Sequence, residues 1–278
     1  MKNKSISIHL NSKNPNSFKE FIKSLADSVS NINNIEVLVH IDHGDVQMKN
    51  LIKELNLVYN SLIVVVETNL IKSFSDAWKP LNILLEKTSQ TVLLISCMSD
   101  EIRFRTTNWD LILYKYSSTY KDDIYRVRCS KYKDEEYNDL WECGYKPDAY
   151  SFYSKKWLDI VGEWNPCIGP DTYQECISFY LNKYGAKYNR NIIDNTIMLD
   201  GQDVSSNINI KTRLKRSRIY YKAFFILMSY KIQKRARSSA HKIAMQIDSK
   251  EANLINIGFP NYFEHTIKNF IRRFNFFK

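Results

Sequence analysis

Over the first hundred positions the apolar residues keep two rhythms. Ile6, Ile8 and Leu10 alternate with polar neighbours, which predicts a strand at 5–10. After a turn-rich loop holding Pro15, Phe18, Phe21, Ile22, Leu25 and Val29 recur at helical spacing and mark one apolar stripe. The pair repeats: IEVLVHI (35–41) predicts a strand, the polar loop Asp42 to Asp45 follows, and Met48, Leu51, Ile52, Leu55 and Leu57 mark a second helix. SLIVVV (61–66) predicts a third strand, and 77–85 a helix with Pro80 in its first turn, where a missing N–H costs nothing. Thr91 to Ile95 is apolar with no helical spacing and predicts a fourth strand, buried on both faces. Strands alternating with helices in this way predict an α/β fold with a parallel sheet and crossover helices. In such sheets ligands bind beyond the carboxyl ends of the strands, where loops carry polar groups over a crevice.

Past Asp110 the rhythm changes. Strands are predicted within 123–132 and 148–154, a charged loop at 133–143, and a short helix ending at Gly162. A helix over 169–185 has Cys176, Ile177, Tyr180, Leu181 and Tyr184 on its apolar face and Gly185 as its stop, and 186–194 holds the last strand.

Composition narrows the class. The 278 residues are 44% hydrophobic, ample for a core. Five cysteines without CxxC or CxH spacing indicate neither a disulfide framework nor a zinc site, so a reducing, cytoplasmic setting is expected. No window offers the ~20 apolar residues of a membrane span, and the N-terminus becomes polar too soon for a signal peptide. The net charge of +10 is unevenly spread: from Lys211 onward 16 Lys and Arg face 3 acids, leaving 24 basic against 27 acidic residues in 1–210. This predicts a body, 1–205, and a basic, aromatic-rich helical extension, 206–278. The apolar block Phe224 to Met228, flanked by cations over 211–246, suits an anionic membrane surface at the inner face of the membrane, or packing against the body. It suits nucleic acid less, because a nucleic-acid arm spaces its aromatics among the cations.

The candidate chemistry lies at strand ends. Asp42 and Asp45 bracket Gly44 after the second strand, where a carboxylate can accept hydrogen bonds from a ribose or base and where an ordinary Asx turn is the alternative. His40, Asp42 and His43 would permit a metal site in principle, but no further His lies nearby in sequence. Asp100 and Glu101 follow the fourth strand. Asp171 follows Pro170 in a capping-box pattern that a purely structural N-cap explains fully; the functional alternative is compatible with it, since a carboxylate held there is aimed and ionised and can take a proton from a hydroxyl. Glu175, one turn on, is a second candidate.

Together these blocks resemble family-2 glycosyltransferases of the GT-A fold. ISIHLNSKNPNSFKEFIKSLADS is similar to that family's opening strand, loop and helix, EVLVHIDHGD to its second strand and acidic loop, and 77–85 with Asn82 to its Asn-bearing helix. LLISCMSDEIRFRTTNWD resembles its strand, metal-binding acidic motif and following Trp-Asp. GEWNPCIGPDTYQECISFYLNKYG resembles the acceptor-side loop and helix. The resemblance implies inverting transfer of a sugar from a nucleoside-diphosphate donor to a hydroxyl of a glycan or lipid-linked glycan. It places Asn11, Asp42, Asp45, Asn82, Ser99 and Asp100 on the donor, a Mg²⁺ or Mn²⁺ ion on Asp100 and Glu101, and catalysis on Asp171 and Glu175. The chain departs from the family's Asp-x-Asp, reading Met98-Ser99-Asp100. A member that binds a nucleotide or a partner without catalysis is therefore the competing expectation.

Overall fold

The computed structural model describes residues 5–60, 62–71, 76, 78–129, 140, 143, 148, 150–167, 169–201, 218, 221–255, 266–268 and 271. Its strands are β1 (Ile6–Asn11), β2 (Ile35–Asp42), β3 (Ile63–Thr68), β4 (Leu94–Cys97), β5 (Ile102–Phe104), β6 (Arg126–Arg128), β7 (Phe152–Ser154), β8 (Asn191–Ile193) and β9 (Leu199–Gly201). Its helices are α1 (Pro15–Ser28), α2 (Val46–Val58), α3 (Lys79–Lys87), α4 (Trp109–Tyr114), α5 (Lys155–Val161), α6 (Pro170–Asn182), α7 (Tyr230–Ile247) and α8 (Ser249–Ala252).

Seven strands form one sheet in the order β3-β2-β1-β4-β7-β6-β8, and β5 pairs with β9 in a separate antiparallel ribbon. The four strands predicted in the first hundred residues are mutually parallel, with β1 in the middle, Asn11 opposite His40 on one side and His9 opposite Cys97 on the other. All four therefore end on the same edge. Strand β4 starts three residues later than expected, with Thr91 and Leu93 exposed, and β5 and β9 are two strands that the sequence does not predict. The predicted segments at 130–139 lie outside the described residues.

The sheet separates two apolar cores. On one face Ile6, Ile8, Leu10, Val37, Val39 and Leu94 pack with α1, α2 and Trp109; on the other Leu38, Ile95 and Tyr153 pack with α3, α5, α6 and α7. Strand β1 alternates as if half exposed, but its polar side is buried too. The imidazole of His9, held neutral with its pKa lowered to about 3 by burial, lies at 3.0 Å from both Ser7 Oγ and Thr88 Oγ1. Trp164 Nε1 donates to its Nδ1 at 2.9 Å. Because the indole only donates, Nδ1 accepts and the proton sits on Nε2.

The described residues 223–252 of the C-terminal extension contribute to the second core. Phe225, Leu227 and Met228, from the block expected to lie at a membrane or on the body, are buried there with Ile232, Ala236, Ala240, Ile243 and Ala244 of α7. Burying each such side chain away from water is worth about 1.5–3 kcal/mol, so these three side chains act as core. Among the described residues no helix is long and apolar enough to cross a membrane.

The Trp-Asp pair of the sequence is structural. Trp109 stacks on Phe104 and Phe152 at centroid distances of 4.9 and 5.5 Å and donates to Ser28 Oγ, while the buried Asp110 accepts from the N–H and Oγ of Ser30 at 2.9 and 2.5 Å. The two residues thus fasten the end of α1 to α4. Replacing Asp110 by Ala is expected to lower the unfolding free energy by about 2 kcal/mol, seen as a shift in urea midpoint at unchanged slope, since hydrogen bonds to a charged acceptor are lost.

Candidate active site at the strand ends

The β1–α1 loop leaves the central strand between β2 and β4, and two consecutive residues in it reach in opposite directions. Ser12 Oγ donates to Asp100 Oδ2 at 2.5 Å, and Lys13 Nζ lies 2.5 Å from Asp42 Oδ2. Asp42, the last residue of β2, and Asp100, three residues past β4, therefore stand at the same edge of the sheet with β1 between them. Two strand spacings amount to about 10 Å. The loop is fixed at its base: Ser12 N donates to His40 O, and Ser17 Oγ of α1 and Arg103 Nη1 both donate to the carbonyl of Asp100. Burial raises the pKa of the Asp100 carboxyl, opposed by the Ser12 hydrogen bond. Asp42 Oδ1 is buried and has no hydrogen-bond partner among the described residues.

The acceptor-side loop is held as firmly. The N–H of Trp164 donates to Asn82 Oδ1 at 2.7 Å, its carbonyl accepts from Gln174 Nε2 at 2.8 Å, and its indole donates to His9. Asn82 Nδ2 also donates to Asn165 O at 3.0 Å. Three elements, β1, α3 and α6, thus grip one residue. Five residues on, Gly169, at φ +93°, turns the chain into α6. Asp171 sits in the first turn of that helix, close enough to Cys97 at the end of β4 that its charge adds to the burial raising the thiol pKa. The pKa of Asp171 is itself raised to about 6, first by burial and then by Glu175 and Asp148, against hydrogen bonds from backbone N–H groups at the helix start.

Several expectations change at this level. Asp171 is not the N-cap, a position held by Gly169; it lies inside the first turn. Asp45 caps α2, accepting from Met48 N at 3.0 Å, so its carboxylate is committed to the helix. The Asn82 amide clamps the 164–165 backbone. Glu175 is fully buried and forms a bidentate pair with Arg126 at 2.7 and 2.8 Å while also accepting from Asp148 N, which makes it a structural ion pair rather than a group that meets substrate. His40 is buried against Thr68, and His43 pairs with Glu67 at 2.7 Å, so neither joins Asp42 as a ligand set. Met98 is buried in the first core, so the position where the resemblance implies an acid faces apolar side chains. Asn11 and Ser99 lie at the ends of β1 and β4, half-buried and exposed respectively. Ser12, Lys13 and Trp164 were not singled out from sequence, because their partners are distant along the chain.

Among the described residues no three His, Cys, Asp or Glu side chains gather into a metal site. Asp100 and the neighbouring Glu101 are two hard oxygen donors. Mg²⁺ and Mn²⁺ are commonly bound by one or two carboxylates with substrate phosphates and water completing the shell, so this donor set fits a cation that arrives with a diphosphate.

The seven-strand, mostly parallel sheet flanked by helices is a GT-A fold. Two solved structures are similar over most of the chain. The mannosyltransferase PcManGT from Pyrobaculum calidifontis, in complex with GDP-Man and Mn²⁺, superposes with a TM-score of 0.58 at 10% identity over 97% of this chain and 86% of that one. TarS residues 1–349 from S. aureus, in complex with UDP-GlcNAc, does so with 0.52 at 10% identity over 90% and 84%. No protein-family model and no curated protein matches the sequence.

Two carboxylates one helical turn apart should respond in opposite senses. The pKa of Asp171 is raised in the folded state, so its ionised form costs stability above about pH 6, and the cost vanishes below the unfolded value near 3.8. Asp171→Asn is therefore expected to raise the melting temperature at pH 7.5 and to leave it unchanged at pH 3.5. Glu175→Ala, which strands the buried Arg126, is expected to cost about 3–5 kcal/mol.

Proposed function

We propose that the chain is a glycosyltransferase that binds a nucleoside-diphosphate sugar at the ends of β1, β2 and β4 and passes the sugar to a hydroxyl, with inversion. The carrying observation is the placement of Asp42 and Asp100 on either side of one loop, fixed by Lys13 and Ser12, with Asp171 beside the end of β4. The ligands of the two similar structures, GDP-Man with Mn²⁺ and UDP-GlcNAc, support the same use of the crevice. Residues 1–205 form the catalytic unit in this reading, and the described helix α7 of the 206–278 extension buttresses it.

In this reading Asp42 contacts the nucleoside, its unpartnered Oδ1 accepting from a ribose or base donor. Asp100, with Glu101 beside it, would hold the divalent cation, which when bound supplies positive charge to the diphosphate. Lys13 adds a further positive charge at the crevice. Asp171 takes the proton from the acceptor hydroxyl as its oxygen bonds to the anomeric carbon. The bond from that carbon to the diphosphate breaks, and the nucleoside diphosphate leaves with the electron pair. A base with a pKa near 6 is ionised at neutral pH yet basic enough to share a proton in the transition state. The acceptor is a glycan or lipid-linked glycan. Met98 motivates a second reading, in which the crevice binds the donor without transfer.

A panel of nucleotide sugars with Mn²⁺, read by release of nucleoside diphosphate, separates the two. Turnover is expected with at least one donor, rising with pH to a plateau above about pH 6 as Asp171 ionises. Asp171→Asn should lower kcat by about 10²–10⁴-fold with donor binding retained, whereas Asp100→Ala should weaken binding as well. Donor-induced thermal stabilisation without turnover would select the second reading, and neither stabilisation nor turnover would refute both.

A further inference from the structure

The outer face of α7 takes no part in the core or in the site. Its inner face is buried, whereas Lys231, Lys234, Arg235, Ser238 and Lys242 are exposed and fall on one stripe. From Lys231 to Lys242 this stripe is about 16 Å long at 1.5 Å per residue. The helix contains no Asp or Glu. Arg235 is neutralised by Glu163, at 2.5 Å, but among the described residues no carboxylate pairs with Lys231, Lys234 or Lys242. An ordinary solvated helix face mixes both signs of charge, and this one does not.

The chemistry of the face selects among polyanions. Its unpaired cations are all lysines, which act as mobile point charges and suit a diffuse layer of headgroups, whereas a fixed phosphate favours the bidentate fork of arginine. The stripe carries no aromatic side chain on which a base would stack, and Ser238 leaves its middle flat. In the helical stretch 221–227, Lys222 and Ile226 are both exposed one turn apart, so an aliphatic group stands beside a cation at the approach to α7. The buried Phe225, Leu227 and Met228 are not available for insertion, so attraction at this surface is electrostatic.

We infer that the outer face of α7 docks on an anionic bilayer surface through Lys231, Lys234 and Lys242. Each lysine near such a surface contributes about 1 kcal/mol, so removing three weakens partitioning about a hundredfold. The attachment is peripheral and reversible, and it is screened by salt.

The test uses the full chain and vesicles of phosphatidylcholine, alone or with about a third phosphatidylglycerol. Cosedimentation is expected with the anionic vesicles only. It should be about a hundredfold weaker for Lys231→Ala/Lys234→Ala/Lys242→Ala at unchanged melting temperature, and reduced for the parent by added salt. Equal binding of parent and triple variant would overturn the inference, as would equal binding to neutral vesicles. So would an absence of vesicle binding alongside a duplex-oligonucleotide complex that the triple variant loses, which would assign the face to nucleic acid. None of these readouts involves glycosyl transfer, so they stand independently of the proposed activity.

Discussion

The crevice depends on one loop carrying two bonds of opposite reach. Strand β1 lies between β2 and β4 in the parallel set, and the residues that leave its end touch both neighbours. Ser12 takes the β4 side and Lys13 the β2 side, each with a short charge-assisted contact to a carboxylate. Without them Asp42 and Asp100 would be two acids at separate strand ends. With them they form two posts of one opening.

The other side of the opening is built by a different device. Trp164 spends its N–H, its carbonyl and its indole on Asn82, Gln174 and His9. A buried neutral histidine on the central strand therefore supports both the sheet and the loop that leads into α6. Asp171 can then stand in a setting that raises its pKa without the segment giving way, because the cost of burying the carboxylate is borne by a firmly held frame. The Arg126–Glu175 pair serves the same frame from beneath.

The alternation of Ile6, Ile8 and Leu10 and the helical spacings after it carried the parallel sheet, and with it the edge where ligands bind. What remained illegible has particular causes. Ser12 and Asp100 are 88 residues apart, and nothing local marks either as the other's partner. Asp45 and Glu175 read as chemistry because an acid at a strand end or a helix start has the same one-dimensional signature whether it caps, pairs or reacts. The polar side of β1 suggests solvent, yet Ser7 and His9 are buried: Trp164 and Thr88 reach His9 from far along the chain, and His9 in turn partners Ser7. The basic extension looked like an appendage because charge was counted by segment. Helix α7 turns its lysines and Arg235 out and Ile232, Ala236, Ala240, Ile243 and Ala244 in, which only the fold reveals.

The most direct measurement is a crystal structure of the protein with a nucleoside diphosphate and Mn²⁺. The account predicts a single bound nucleotide whose base or ribose meets Asp42 and whose diphosphate, with the ion, meets Asp100. A nucleotide bound away from the ends of β2 and β4, or touching one of these carboxylates with the other turned away, would contradict it.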